Sequence, residues 1–405
     1  MSELKKTDIG HIPSDWDCVL FNEVAELRHG HQFRNYDFTD DGLKVVKITQ
    51  IQGDGTMNLS SCSFIESNRL EEFKEDIINK GDILIALTGA TIGKIARYNS
   101  DEVVLQNYRV GNFFSKDENK LSRNYLFQFL RSNFFFHQIL ARQTQSAQQN
   151  IGKDEINNMD LFLPPISEQK AIAKVLTAFD DKIELLQAQN KTLETMAQTI
   201  FKEWFGKYQI GDELPEGWRV GKLGDVIDIF DSQRIPLSKP QREAMNGDYR
   251  YYGATKVMDY VNDYLFDGIY LLFAEDGSVM DENGHPFLQY VWGKFWVNNH
   301  THILKGKNGF STELLYVLCK KMKVAGIVNG AVQLKINQGN LLSKEIVLPT
   351  DFILDKVDKI IQPLFNKLRI NSSQIQSLTK TRDTLLPKLM SGQVRVNNLK
   401  QTADA

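Results

Sequence analysis

Residues 163–186 read LPPISEQKAIAKVLTAFDDKIELL, and residues 348–371 read LPTDFILDKVDKIIQPLFNKLRIN. The two stretches align without a gap at a shift of 185, with Pro164 on Pro349, Val175 on Ile360, Phe179 on Leu364 and Ile183 on Leu368. In the first, apolar residues recur at Ile172, Val175, Phe179, Ile183, Leu186, Leu193, Ala197 and Ile200. In the second they recur at Val357, Ile360, Leu364, Leu368, Ile375, Leu378 and Leu385. Steps of three and four make an apolar stripe of the kind that seals one helix against another. Two long helices are expected, over residues 167–206 and 351–392, each about 60 Å long. Gly206 and Gly392 are placed to close them as C-terminal caps.

The repetition extends beyond the helices, and a fixed period is the first thing to seek in a chain. PSDWDCVLFNEV at residues 13–24 faces PEGWRVGKLGDV at residues 215–226, with Trp16 on Trp218. GDILIAL at 81–87 parallels DGIYLLF at 267–273, and YLFQFL at 125–130 parallels LLYVLC at 314–319. The shift shrinks along the chain, so the first copy carries extra loop residues. The chain is a tandem duplication of a small α/β (α+β) domain followed by a helix. Its boundaries fall at 1–163, 164–206, 207–349 and 350–405.

Within each copy a short amphipathic helix (20–27, 222–229) leads into a polar, Arg-containing loop. β-rich runs follow at 44–49, 82–87 and 103–110, and at 269–273, 290–297 and 302–305, separated by Gly-containing turns. A helix over 123–141 or 313–323 then covers the strands. With aromatics crowded into YLFQFLRSNFFFHQIL, the first of these reads as core rather than as a stacking platform.

Each long stripe is interrupted once by an Asn, at Asn190 and at Asn371. A buried Asn in a helix seam costs stability and fixes register. If the helices run antiparallel about a pseudo-twofold near residue 188, Asn190 faces Asn371, Leu186 faces Ile375 and Leu193 faces Leu368. The other reading is two unrelated Asn residues that face solvent.

Composition excludes several classes. The chain has 405 residues, 42% of them apolar and 24% charged, with a formal net charge of −3. That is an ordinary globular balance, and its sign is no mark of a simple basic DNA binder. A local basic face matters more than the sum. Cys18, Cys62 and Cys319 are far apart and form neither a disulfide framework nor a spaced zinc site. MSELKKTDIGHIPSDW lacks the apolar core of a secretory signal, and no apolar run nears about 20 residues. A cytoplasmic protein is expected.

Catalytic constellations are also missing. GDILIALTGATIGK at 81–94 looks at first like a phosphate-cradling loop. However, Gly89 and Gly93 have three residues between them rather than four, and Ile95 stands where a hydroxyl should hold Mg²⁺. LPPI at Leu163 lacks the amide acceptor and the ring of an amino-methyltransferase loop. His29 with His31, and His300 with His302, are i, i+2 pairs with no third ligand placed by spacing. AEDGSVMDENG lacks the spacing of a calcium loop. Asp180 and Asp181 read as a solvated helix face. No catalytic residue and no metal ligand is assigned.

The loops are rich instead in groups suited to nucleic acid. In the first copy these are His31, Gln32, Arg34, Asn35, Thr88, Thr91, Lys94, Gln106, Asn107, Arg109 and Gln148. In the second they are Gln233, Arg234, Lys239, Arg242, Tyr251, Lys256, Ser278, Asn298, Asn299, His300 and Gln333. Asn and Gln match adenine bidentately and Arg matches guanine, whereas Ser, Thr and Lys more often anchor phosphate. Two such domains held apart by long helices suit a ligand with a repeat of about 34 Å, the turn of duplex DNA.

The chain resembles the DNA-specificity subunit of type I restriction–modification systems. The resemblance rests on Pro-x-x-Trp at Pro13, GDILIALTGATIGK at 81–94, LPPISEQKAIAKVLTAFDDKIE from Leu163, IFKEWF at 200–205 and RDTLLPKLMSGQV at 382–394. It implies two target-recognition domains in tandem, each reading half of a split double-stranded DNA target, separated by two long antiparallel coiled-coil helices with pseudo-twofold symmetry. It also implies two methyltransferase subunits and two motor–nuclease subunits as partners. S-adenosylmethionine, ATP and Mg²⁺ would then be bound by those partners and none by this chain. A recognition subunit for a fused methyltransferase–nuclease, and a coiled-coil scaffold with no DNA readout, are the rival readings.

Overall fold

A computed structural model describes residues 4–142, 150–330 and 333–396. The chain divides into two compact units, one built from Met1–Ile183 with Gln376–Ala405, the other from Glu184–Ile375.

In the first unit, strands β1 (Asp17–Leu20), β2 (Ala25–His29), β3 (Ile83–Ala86), β4 (Ile95–Arg97), β5 (Val110–Ser115) and β6 (Asp160–Leu163) precede the first long helix. Helices α1 (Arg123–Leu130) and α2 (Asn133–Arg142) lie between β5 and β6. The main sheet has the order β2-β5-β3-β4 and is antiparallel throughout. β1 pairs separately with β6. A smaller sheet carries the parallel pair Leu43–Val46 with Val104–Gln106.

The second unit repeats this plan. Its strands are β7 (Arg219–Lys222), β8 (Ile227–Ile229), β9 (Phe266–Ala274), β10 (Leu288–Val297), β11 (Thr301–Gly306) and β12 (Glu345–Leu348). The order β8-β11-β9-β10 matches β2-β5-β3-β4 strand for strand, again antiparallel, and β7 pairs with β12 as β1 does with β6. The sheet then continues beyond β10 through Asn246–Tyr252 and Val257–Val261. The repetition visible in the sequence is thus a repetition of topology.

The long helices α3 (Ile166–Phe205) and α5 (Asp351–Met390) hold 40 residues each, and α4 (Thr312–Lys321) stands in the second unit where α1 stands in the first. Each unit takes part of both long helices. In the first, Ile172 and Leu176 of α3 and Leu389 and Met390 of α5 join Trp16, Phe113, Tyr125, Phe129 and Phe162 in one core. In the second, Ala197 of α3 and Val357, Ile361 and Phe365 of α5 pack with Leu271, Phe273 and Leu314. Apolar stripes are buried by the domains as well as by the other helix, which explains why such long helices are stable without a long isolated seam.

Polar pairs fix the register. In the second unit, the Asn371 amide, fully buried, donates to Asn190 Oδ1 at 3.0 Å, and Asn190 donates to Ser372 Oγ at 3.1 Å. Leu186 and Leu368 are buried, and Leu193 and Ile375 half-buried. In the first unit, Asp180 meets both Arg131 at 2.7 Å and Arg382 at 2.8 Å. Asp180 is therefore no solvated residue, as its neighbour Asp181 is. Burial alone would push the Asp180 carboxyl up, but Arg131, Gln128 and Arg382 outweigh it and hold it below the usual range.

Four local expectations are corrected. The helix expected over 20–27 lasts one turn, Phe21–Val24, before Ala25–His29 joins the sheet opposite Gly111–Ser115. Likewise residues 222–229 give only a 3₁₀ turn, Leu223–Asp225, and then β8. The helix expected over 123–141 breaks at Ser132, whose hydroxyl and N–H both donate to the Phe129 carbonyl. Gly392 adopts φ +69° and ends α5 in the left-handed region, and a Cβ there would lie 2.4 Å from Pro13 Cγ. Gly206 keeps a negative φ, so it follows α3 without that cap.

Candidate nucleic-acid interface

The stretch Gly81–Lys94 is a hairpin. β3 ends, a 3₁₀ turn spans Gly89–Thr91, and the chain returns as β4. No helix N-terminus follows the glycines, so the geometry that cradles phosphates in a P-loop is absent at this place. Gly93, at φ +79°, tucks under Phe136 and Ile139, where a Cβ would approach within 3.3 Å.

That hairpin lies at a rim onto which several loops of the first unit converge. The Asn107 N–H donates to the Val46 carbonyl, Tyr108 N–H to His31, and Leu87 N–H to Arg109. Thr88 bridges to Asn150. These backbone ties bring together His31, Gln32, Arg34, Asn35, Thr88, Asn107 and Arg109, which lie far apart in sequence. Between them opens a cleft of about 510 Å³. Gln32, Arg34, Asn35, Asn107 and Arg109 line it, with Phe38, Lys47, Thr49 and Tyr108.

The charge of this cleft is one-sided. Among the described residues the Arg34 guanidinium donates only to Gln32 Oε1, at 3.3 Å, and Arg109 is exposed. Lys47 donates to Ser63 Oγ at 2.7 Å and sits 3.9 Å from the centre of the Phe38 ring. Burial pushes its ammonium below the usual value. None of the three forms an ion pair with a carboxylate among the described residues. The one acid in the neighbouring turn, Asp37, accepts from the Arg34 N–H at 2.8 Å and pairs with Arg69 at 3.0 Å, facing inward. The Arg34 N–H and then Arg69 hold its carboxyl below the usual range. Three cations without counter-ions, interleaved with amides and rings, suit a polyanion carrying bases.

Other expected residues behave differently. Thr91 turns its hydroxyl to the Thr88 carbonyl, and Lys94 lies against Gly53. Gln106 is withdrawn from any ligand: it is buried, and its amide donates to the carbonyls of Arg28 and Val110. Gln148 lies outside the described residues.

In the second unit Gln233, Lys256, Ser278, Asn299 and Gln333 are exposed. Backbone bonds from Glu275 to His300 and from Gly277 to Leu334 draw three of the loops together. Four of the expected residues are instead structural. Tyr251 is buried with its hydroxyl accepting from the Leu237 N–H, and Asn298 is buried and accepts from the His300 N–H. Arg242 ties Leu237 to Asp259. Arg234 spends its guanidinium on Glu275 at 2.6 Å and on the carbonyls of Asp231, Asn299 and Thr301. Lys239 lies near Glu243, exposed, and His300 pairs with Asp276.

Asp231, Glu275 and His302 bring three ligand atoms together as a metal site would. Arg234 and Lys335 occupy Glu275, however, and His302 meets Asp231 through Nδ1 while Nε2 lies 2.8 Å from the Ile336 carbonyl. The cluster is a closed ion-pair network with both imidazole nitrogens used.

Fold and site define a class: a duplicated α+β recognition module on a pair of long helices. The family model for the type I restriction modification DNA specificity domain matches residues 13–195 and 215–380, and the chain belongs to that family. Among similar proteins, the MjaIX specificity subunit of Methanocaldococcus jannaschii is 27% identical over 98% of both chains. The putative MjaX specificity subunit of the same organism is 25% identical over 97% of this chain and 96% of its own. The crystal structure of the S subunit from M. genitalium shares the fold, with a TM-score of 0.59 over 96% of this chain and 99% of its own at 17% identity.

Sequence reasoning missed Lys47, Thr49 and Tyr108. Lys47 and Thr49 stand at the end of an apolar strand run, and only the pairing of that strand with Val104–Gln106 turns them to the rim.

Proposed function

We propose that this chain is the sequence-reading subunit of a type I restriction–modification enzyme, each domain reading one half of a split double-stranded DNA target. The carrying observation is the strand-for-strand repetition of the frame, β2-β5-β3-β4 against β8-β11-β9-β10, beneath rims whose residues differ. A shared frame with divergent rims suits two different words read by one kind of domain. Specificity subunits are non-catalytic, and this chain supplies recognition and assembly.

Two methyltransferase subunits and two motor–nuclease subunits complete the assembly in this reading. They carry S-adenosylmethionine, ATP and Mg²⁺, and the chain works in the cytoplasm. Among the described residues no helix is long and apolar enough to cross a membrane. The cleft cations Arg34, Lys47 and Arg109 anchor the phosphates of one half-site, and Gln32, Asn35 and Asn107 are set to meet base edges.

The test is adenine-methylation mapping in a host expressing the chain with the methyltransferase gene beside its own. A split word with a fixed gap is expected. An active methyltransferase whose methylation ignores this chain would favour a protein scaffold instead.

A further inference from the structure

Tyr36 is 86% exposed and makes no ring contact or hydrogen bond among the described residues. A single exposed aromatic is ordinary. The turn that carries this one is not. On one side Phe33 is buried against Phe73, their ring centres 5.0 Å apart, and on the other Phe38 packs on the same core. Between them the 3₁₀ turn Asn35–Asp37 is closed by Asp37, whose carboxylate binds the Arg34 N–H and Arg69 together. The ring therefore stands at the tip of a turn whose base is tied down, beside the cleft whose cations lack counter-ions.

We propose that Tyr36 is an aromatic wedge of the first domain, which enters a base step of the bound duplex while the neighbouring cations hold the flanking phosphates. The inference rests on the DNA-reading function above and adds the residue and the manner of contact. The wedge unstacks one step, and stacking on the ring together with phosphate contacts offsets that cost. A turn already tied by Asp37 loses little backbone freedom on binding. Pyrimidine–purine steps unstack most readily, so the wedge falls at such a step within one half-word.

The test uses the full chain in complex with its methyltransferase subunit. The bound word is first selected from a randomised duplex library, then resynthesised with 2-aminopurine at each position in turn. Wild type and Tyr36→Phe are expected to raise fluorescence at one step of one half-word. Tyr36→Ala should abolish that rise and weaken binding about ten- to a hundredfold, as loss of one stacked ring does, with the other half-word read as before. Tyr36→Ala with unchanged fluorescence and affinity overturns the wedge and leaves the function standing. A wild-type complex that selects no word overturns the DNA-reading function itself, and the wedge with it.

Discussion

Arg34 and Arg234 each stand five residues beyond corresponding strands, β2 and β8, yet they do opposite work. Arg34 is exposed and its guanidinium donates only to the Gln32 side chain, whereas Arg234 holds Glu275 and three carbonyls. Arg34→Ala is therefore expected to leave stability within about 0.5 kcal/mol while weakening DNA binding. Arg234→Ala leaves the buried Glu275 without its closest partner and is expected to cost about 3–5 kcal/mol of stability. Urea denaturation of both variants separates the roles, and equal midpoints would refute the assignment. His302 belongs to the same network. Burial, the largest influence, pushes its imidazole down, but the Asp231 hydrogen bond and charge, the Ile336 carbonyl and Glu275 together bring it above the usual value. With the folded value raised, this contribution to stability is complete below the unfolded value of about 6.5. It is lost as pH rises through the folded value. The stability difference between wild type and His302→Gln should shrink from pH 6 to pH 8, and a difference that grows would refute this account.

At the scale of elements, the long helices and the repeated strands were legible because burial writes a period into the sequence. The interruptions at Asn190 and Asn371 stood out against that period, and the two residues do meet. The stretch 20–27 was not legible. Its apolar residues Phe21, Val24, Ala25 and Leu27 fit both a helix and the start of a strand, and only pairing with Gly111–Ser115 decides. Nor could Gln106, Tyr251 and Asn298 be told from base-reading residues, because a polar group that ties loops together and one that waits for a ligand are spelled alike. The Asn pair makes a test of its own. Asn190→Leu leaves the fully buried Asn371 amide only its longer bond, 3.4 Å, to Gln189 Oε1, while its own Oδ1 already lacks a partner, and should cost about 1–3 kcal/mol. Replacing both by Leu should recover that loss or exceed it, at the expense of register. A double variant less stable than the single one would show that the pair contributes net stability.

The whole molecule carries a net charge of −3, so attraction to DNA has to come from local surfaces. In the first unit three cations without a carboxylate partner are gathered at one cleft, whereas the second unit closes Arg234 and Arg242 into internal contacts and exposes Lys256 among amides and hydroxyls. Duplication has kept the frame while the rims diverged, and on the function proposed above the first rim would contribute more phosphate attraction and the second more hydrogen-bonding edges. Since the rims belong to separate compact units, changes at one should add to changes at the other. The double variant Arg34→Ala/Arg109→Ala should lower the slope of log affinity against log salt by about two, one per lost phosphate contact. It should relax one half of the methylated word and leave the other half intact. Changing Lys256 and Gln333 to Ala should relax the opposite half, with the salt slope falling by no more than about one. If either variant relaxed both halves together, the two domains would not be independent readers, and the division read from their rims would fail.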